Sequence, residues 1–137
     1  MNLFNYNLWS GSDYLNNCTD FNKIYNLISS IEWASNGNKS IKFTRTSNNY
    51  SDYTTEHMFN LPTGNYLFSC DVFSPEANGR IYLFLEEPET VSINFSASED
   101  VQRVSLSVTN HLIRGFRLVN DSLNKSIYYD NFKIVHQ

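Results

Sequence analysis

Charge is scarce in this chain of 137 residues: Lys and Arg number 10, Asp and Glu 14, and together they make 18% of the sequence. The net charge is -4, and the densest basic spot holds only Arg114 and Arg117. Nucleic-acid binding draws most of its affinity from a basic patch on the phosphate backbone, so no nucleic-acid partner is expected. Long hydrophobic runs are also missing. A membrane-spanning helix needs roughly 20 apolar residues in a row, so no membrane insertion is expected. The opening residues, Met1-Asn2-Leu3-Phe4-Asn5, carry neither a basic n-region nor an apolar h-region and do not read as a secretory signal. Cysteine is limited to Cys18 and Cys70, whose separation does not suit a zinc site. A bridge between them is left open.

Catalytic signatures are absent as well. His57, His111 and His136 are scattered, and no nucleophile elbow, zinc-protease helix, phosphate loop or Cys–His pairing occurs. Glu86, Glu87 and Glu89 contain the carboxylates a glycosidase needs, but they bracket Pro88 in what reads as a solvated acidic turn. A domain of this size has little room for a deep cleft. No catalysis is expected.

What the chain does have is aromatics, 15% of the sequence with ten Phe and nine Tyr, together with 19 Asn and 17 Ser. Few charges with many aromatic and β-branched residues favour an all-β domain. Period-2 alternation runs through Ser40–Thr46, Thr54–Leu61, Tyr66–Phe73, Arg80–Glu86, Val91–Phe95, Arg103–Val108, Leu112–Val119 and Ser126–Val135. Pro62-Thr63-Gly64-Asn65 and Ser74-Pro75-Glu76-Ala77-Asn78-Gly79 read as turns between strands. Ahead of these, Phe21, Ile24, Ile28 and Ile31 fall at helical spacing behind Asp20 as an N-cap, which predicts one short helix. The whole of residues 1–137 reads as a single β-sandwich domain of two antiparallel sheets.

The order of signals narrows this further. Asn7-Leu8-Trp9-Ser10-Gly11-Ser12-Asp13-Tyr14 opens the chain; Trp33 precedes the strand Ser40-Ile41-Lys42-Phe43; Gly64-Asn65-Tyr66-Leu67-Phe68-Ser69 follows; and Ile127-Tyr128-Tyr129-Asp130-Asn131-Phe132 closes it. This resembles the carbohydrate-binding modules of the four, sixteen and twenty-two type, within the galactose-binding-like superfamily. The resemblance implies a jelly-roll β-sandwich. It also implies a structural calcium that ties the N-terminal segment to the last strand, with Asp130 and Asp13 as candidate ligands. A cation would offset the cost of desolvating an acid inside a strand. The sequence departs from the pattern after Asp13-Tyr14, where Leu15 stands in place of a further acid. The competing reading of Asp130-Asn131 is a bulge, or a cap on a neighbouring loop.

Sugar recognition needs flat aromatic faces beside planar polar groups that bond paired hydroxyls. Trp33 before an Asn- and Gly-rich loop, and Tyr50 and Tyr53 in a Ser- and Asn-rich loop, are candidates, each with packing as its alternative. Tyr82, Phe84 and Glu86 alternate against Ile81, Leu83 and Leu85, which places them on the outward face of their strand. Asn94, between Ser92 and Ser96, adds an outward polar row. Asp71 and Arg117 are hydrogen-bonding candidates, and a surface ion pair is the alternative for Arg117. The expected function is non-catalytic binding of a polysaccharide or cell-surface glycan, as part of a larger multidomain protein at an extracellular, cell or virion surface. The alternative is a structural or adhesion domain of a virion fibre or surface adhesin.

Overall fold

The computed structural model describes residues 27–35 and 40–137. Seven strands and one short helix follow in order: β1 (Leu27–Ser30), β2 (Ser40–Thr44), α1 (Tyr50–Tyr53), β3 (Thr54–Ser74), β4 (Gly79–Phe84), β5 (Thr90–Phe95), β6 (Ser98–Asn120) and β7 (Ser126–His136). All pairings are antiparallel, and the hydrogen-bonded order is β1-β2-β7-β3-β6-β4-β5.

This one ladder makes two layers because its longest strands bend. β3 has 21 residues and β6 has 23. The second half of β3, Tyr66 onward, pairs with β7 and with the first half of β6. The first half of β3 pairs with the second half of β6, which in turn pairs with β4. Register slips between Met58 and Tyr66 absorb the fold between the halves. Bulges of this kind add twist and turn a strand from one layer into the next. The result is a layer β1-β2-β7-β3-β6 stacked on a layer β3-β6-β4-β5.

Phe116 of the second layer packs on Phe68 and Phe132 of the first, both at 5.7 Å between ring centroids, and Phe95 meets Tyr129 edge-on at 6.2 Å. Ile41, Phe43, Val72, Ile81, Leu83 and Leu118 belong to the same buried cluster. These residues sit at alternate positions, so the period-2 pattern of the sequence is the core itself. The layers approach closely at Gly79, where a Cβ would collide with Phe95 and Ile127.

The sandwich agrees with the sequence reading, but two details differ. Pro62-Thr63-Gly64-Asn65 does not end a strand. Pro62 lacks an N–H and sits among the register slips, where the ladder needs no donor. Asn65 Oδ1 accepts the Asn110 N–H at 2.8 Å, which holds the two bent strands together at the corner. Asn110 itself takes a left-handed φ of 60°. Leu112–Val119 likewise continues the strand that contains Arg103–Val108.

The other difference is the predicted helix. Leu27–Ser30 is a strand, the last of the ladder among the described residues, in register with Phe43 to Ser40. Leu27 is buried beside Phe43 while Ile28 and Ile31 are exposed. Cross-strand pairing overrides a helical spacing that Asn and Ser supported poorly. The remainder of that stretch, Asp20 to Asn26, lies outside the described residues, as do Cys18 and Asp13. Cys70 is a buried free thiol, and burial pushes its pKa up.

Candidate functional site

The outer face of the second layer concentrates the chemistry. Cross-strand register lays it out in rows. Glu56 of β3 stands opposite Arg117 of β6, Arg117 opposite Tyr82 of β4, and Tyr82 opposite Ser92 of β5. One row to the side come Thr54, Val119, Arg80 and Asn94. On the other side come Met58, Gly115, Phe84 and Thr90. Helix α1 lies at the Thr54 end and brings Tyr50 and Tyr53 to the face.

Arg117 is at the centre. Its Nη2 and Nε donate to Glu56 Oε1 at 2.8 and 3.1 Å, which fixes the plane of the guanidinium. Three rings surround it: Phe84 at 5.0 Å, Tyr50 at 5.6 Å and Tyr82 at 5.7 Å from Cζ. These distances allow cation–π attraction. The Nη1 group is not engaged by Glu56. Arg80 donates to Asp121 at 2.9 and 3.1 Å and to the Tyr82 hydroxyl at 3.0 Å, which anchors the hydroxyl end of Tyr82.

Two depressions flank Arg117 and share it as a wall. One, of about 280 Å³, is lined by Glu56, Met58, Phe84, Glu87, Pro88, Thr90, Arg114 and Arg117. Gly115 lies in the row between Met58 and Phe84 and contributes no side chain there. The other, of about 170 Å³, is bounded by Tyr50, Tyr53, Arg80, Tyr82 and Arg117 over Thr54 and Val119. Each therefore combines ring or thioether surface with planar polar groups.

Of the residues singled out from the sequence, Tyr50, Tyr53, Tyr82, Phe84, Asn94 and Arg117 come together on this face. Phe84 is more covered than expected, at 9% exposure, because Arg114 and Arg117 lie against its ring. Glu86 leaves the face. β4 ends at Phe84, and the Glu86 carboxylate turns to the corner, accepting the Leu112 N–H at 2.9 Å and pairing with His111 Nδ1 at 2.8 Å. These bonds, the Leu112 N–H first, hold its pKa down at about 2.

Trp33 and Asp71 belong to the other layer. Trp33 stacks on Phe73 at 5.4 Å. Asp71 pairs with Arg103 at 2.8 Å and accepts the Asn131 side-chain amide at 3.2 Å. Burial raises the Asp71 pKa, and hydrogen bonds from Ser35, Arg103 and Asn131 together lower it further than burial raises it.

Asp130 is fully buried in β7. Its Oδ2 accepts the Ser35 N–H at 3.0 Å and the Ser35 hydroxyl at 3.4 Å, and its Oδ1 accepts the Asn131 N–H at 2.8 Å. Asn131 has a left-handed φ of 56°, and the β3–β7 register slips between Ser69 and Asp71. The pair thus forms a bulge and caps the loop carrying Ser35, and those bonds help to satisfy an acid inside the strand. The oxygens of Asp130, Asp71 and Ser35 are hard donors of the kind calcium takes.

Sequence reading missed Glu56, Met58, Arg80, Arg114 and Glu87. Alternation alone put Glu56 and Met58 on one side of their strand. The pairing that brings Glu56 to Arg117 joins residues 61 positions apart and leaves no local trace.

No protein-family profile and no curated protein matches the chain in sequence. Solved structures do match in fold. A family 61 carbohydrate-binding module in complex with β-1,4-galactotriose superposes with a TM-score of 0.58 at 11% identity, over 85% of this chain and 86% of that one. A family 22 xylan-binding domain from Paenibacillus barcinonensis gives 0.58 at 12%, over 80% of each chain. The enzymatically active domain of tailspike protein 4 of bacteriophage CBA120 gives 0.60 at 7% identity, over 81% of this chain but 18% of that one. The chain thus has the β-sandwich fold of carbohydrate-binding modules, a fold that also occurs inside a phage tailspike.

Proposed function

We propose that the protein is a non-catalytic glycan-binding module. It recognises a polysaccharide or cell-surface glycan on the outer face of the β3-β6-β4-β5 layer. The ring of Tyr50, half exposed, and the edge of Tyr82 supply apolar contact, while Arg117, Glu56 and Asn94 supply hydrogen bonds. The module works as part of a larger multidomain protein at an extracellular, cell or virion surface. The single observation that carries this reading is Arg117, locked in plane by Glu56, ringed by Phe84, Tyr50 and Tyr82, and flanked by two open depressions. The fold shared with glycan-binding modules supports it.

Affinity electrophoresis on a panel of plant and microbial polysaccharides tests the proposal. At least one polymer should retard the protein. Arg117→Ala and Tyr82→Ala should each weaken retention by about tenfold, equivalent to about 1.4 kcal/mol. Circular dichroism would verify that each variant is folded. Retention that survives both substitutions would place the site elsewhere.

The tailspike likeness favours a second reading, a structural domain of a virion fibre or adhesin whose aromatic face is buried against a neighbouring subunit. A stable trimer by light scattering, with no polymer retained, is its signature.

A structural calcium between Asp130 and Asp13 is a separate proposal, supported by the oxygen donors around Asp130. Melting should then be higher with calcium than with a chelator. A specific ion at one hundred times its Kd adds about 2.7 kcal/mol.

A further inference from the structure

Among the described residues, every cation that lines the two depressions is matched by a carboxylate. Arg117 pairs with Glu56 at 2.8 Å, Arg114 with Glu87 at 3.0 Å and Arg80 with Asp121 at 2.9 Å. The larger depression is walled by two arginines and two glutamates, which sum to no net charge. The smaller is walled by Arg80 and Arg117, whose partners Asp121 and Glu56 neutralise them. Arg45 stands 4.5 Å from the Tyr53 ring and lines neither depression. Its guanidinium is bonded to Ser47 O, Asn48 Oδ1 and Asn120 O.

A uronate or sulfate ester gains from an arginine only when that arginine is free to form a charge-assisted pair. Here it could reach only the guanidinium edge that the paired carboxylate leaves, Nη1 in Arg117, and would lie against that carboxylate, a like-charge contact that costs affinity. A neutral sugar meets no such penalty. Its hydroxyls can accept from guanidinium N–H groups and donate to carboxylate oxygens that already lie side by side. The net charge of -4 opposes polyanions at longer range.

We propose that Glu56 and Glu87 determine the charge class of the ligand: by neutralising Arg117 and Arg114 they restrict the face to uncharged glycans and exclude uronic-acid and sulfated polymers. This inference rests on the glycan-binding reading above and adds a selectivity mechanism to it. Glu56 acts at the shared wall of both depressions. Glu87, largely exposed at the rim, acts only on the larger one.

The test compares matched polymers in affinity electrophoresis: xylan, galactan and mixed-linkage β-glucan against polygalacturonate, alginate and a sulfated galactan. Wild-type protein should be retarded by at least one neutral polymer and by none of the anionic ones. In Glu56→Gln, Glu87→Gln and the double variant, retention on an anionic polymer should appear, rise by at least tenfold in the double variant, and fall again on adding salt. Glu87→Gln changes an exposed rim residue, so it keeps the test interpretable if Glu56→Gln unfolds.

Wild-type retention on an anionic polymer as strong as on any neutral one would overturn the charge-class inference and leave glycan binding standing. So would neutral binding by the wild type with no anionic gain in a folded double variant. No retention on any polymer would overturn the glycan-binding reading, and this inference with it.

Discussion

Asp130 and Arg117 illustrate two ways a polar residue is kept in a β-sheet. Asp130 is buried and served by donors from its own chain, Ser35 and Asn131. Removing it loses the bonds from the Ser35 and Asn131 N–H groups, each worth about 0.5–1.5 kcal/mol and together about 1–3 kcal/mol. Asp130→Ala should therefore lower unfolding stability by about that amount in urea titration. A change under 0.5 kcal/mol would contradict the capping role. Asn131 tolerates its left-handed φ because its short side chain is suited to that region. Asn131→Gly keeps the φ but loses the amide bond to Asp71, so it should cost less than Asn131→Val, which should be clearly destabilising.

Glu86 gives a pH prediction at the same scale. Its folded pKa lies at about 2, below the ordinary 4.5. A depressed carboxylate contributes stability that is present above its unfolded pKa and lost as pH falls through the folded one. The stability difference between wild type and Glu86→Gln should be constant above about pH 5 and shrink between about pH 4.5 and 2. Urea midpoints at stepped pH measure it, and a pH-independent difference would contradict the bonds from Leu112 and His111.

At the scale of elements, the bent strands are the main structural device. β3 and β6 run through both layers, so a change at the bend should act on the whole sandwich. Gly115 has φ 150°, and a Cβ there would lie 2.5 Å from the His57 carbonyl oxygen. Gly115→Ala should destabilise by more than the usual cost of an exposed strand substitution, because the methyl meets the β3 backbone. Phe116→Ala, which removes the ring packed on Phe68 and Phe132, should cost about 3–5 kcal/mol.

The core faces of these strands were legible in the sequence, since Tyr66, Phe68, Cys70 and Val72, or Ile81 and Leu83, alternate cleanly. The bend was not, because Pro62 to Asn65 carries the same local chemistry whether the chain reverses or slips its register. Arg117 and Tyr82 could each be recognised as outward from their neighbours. Their adjacency, and Glu56 beside them, depended on strand order, which alternation does not encode. Leu27–Ser30 was misread for a related reason: its partner, β2, decides its state, and four residues carry too little period of their own.

For the whole molecule, the fold brings the aromatic and guanidinium groups of three distant segments onto one face with its charges cancelled. The opposite outer face is organised differently, around Trp33 on Phe73 and the Asp71–Arg103 pair. That contrast supplies an internal control, because Lys133 lies exposed on β7 in the first layer, away from the proposed site. The most direct measurement is polysaccharide affinity electrophoresis of wild type, Arg117→Ala and Lys133→Ala side by side. The account predicts that an uncharged polymer retards wild type and Lys133→Ala alike and releases Arg117→Ala. Equal retention of all three proteins, or loss on Lys133→Ala alone, would contradict it.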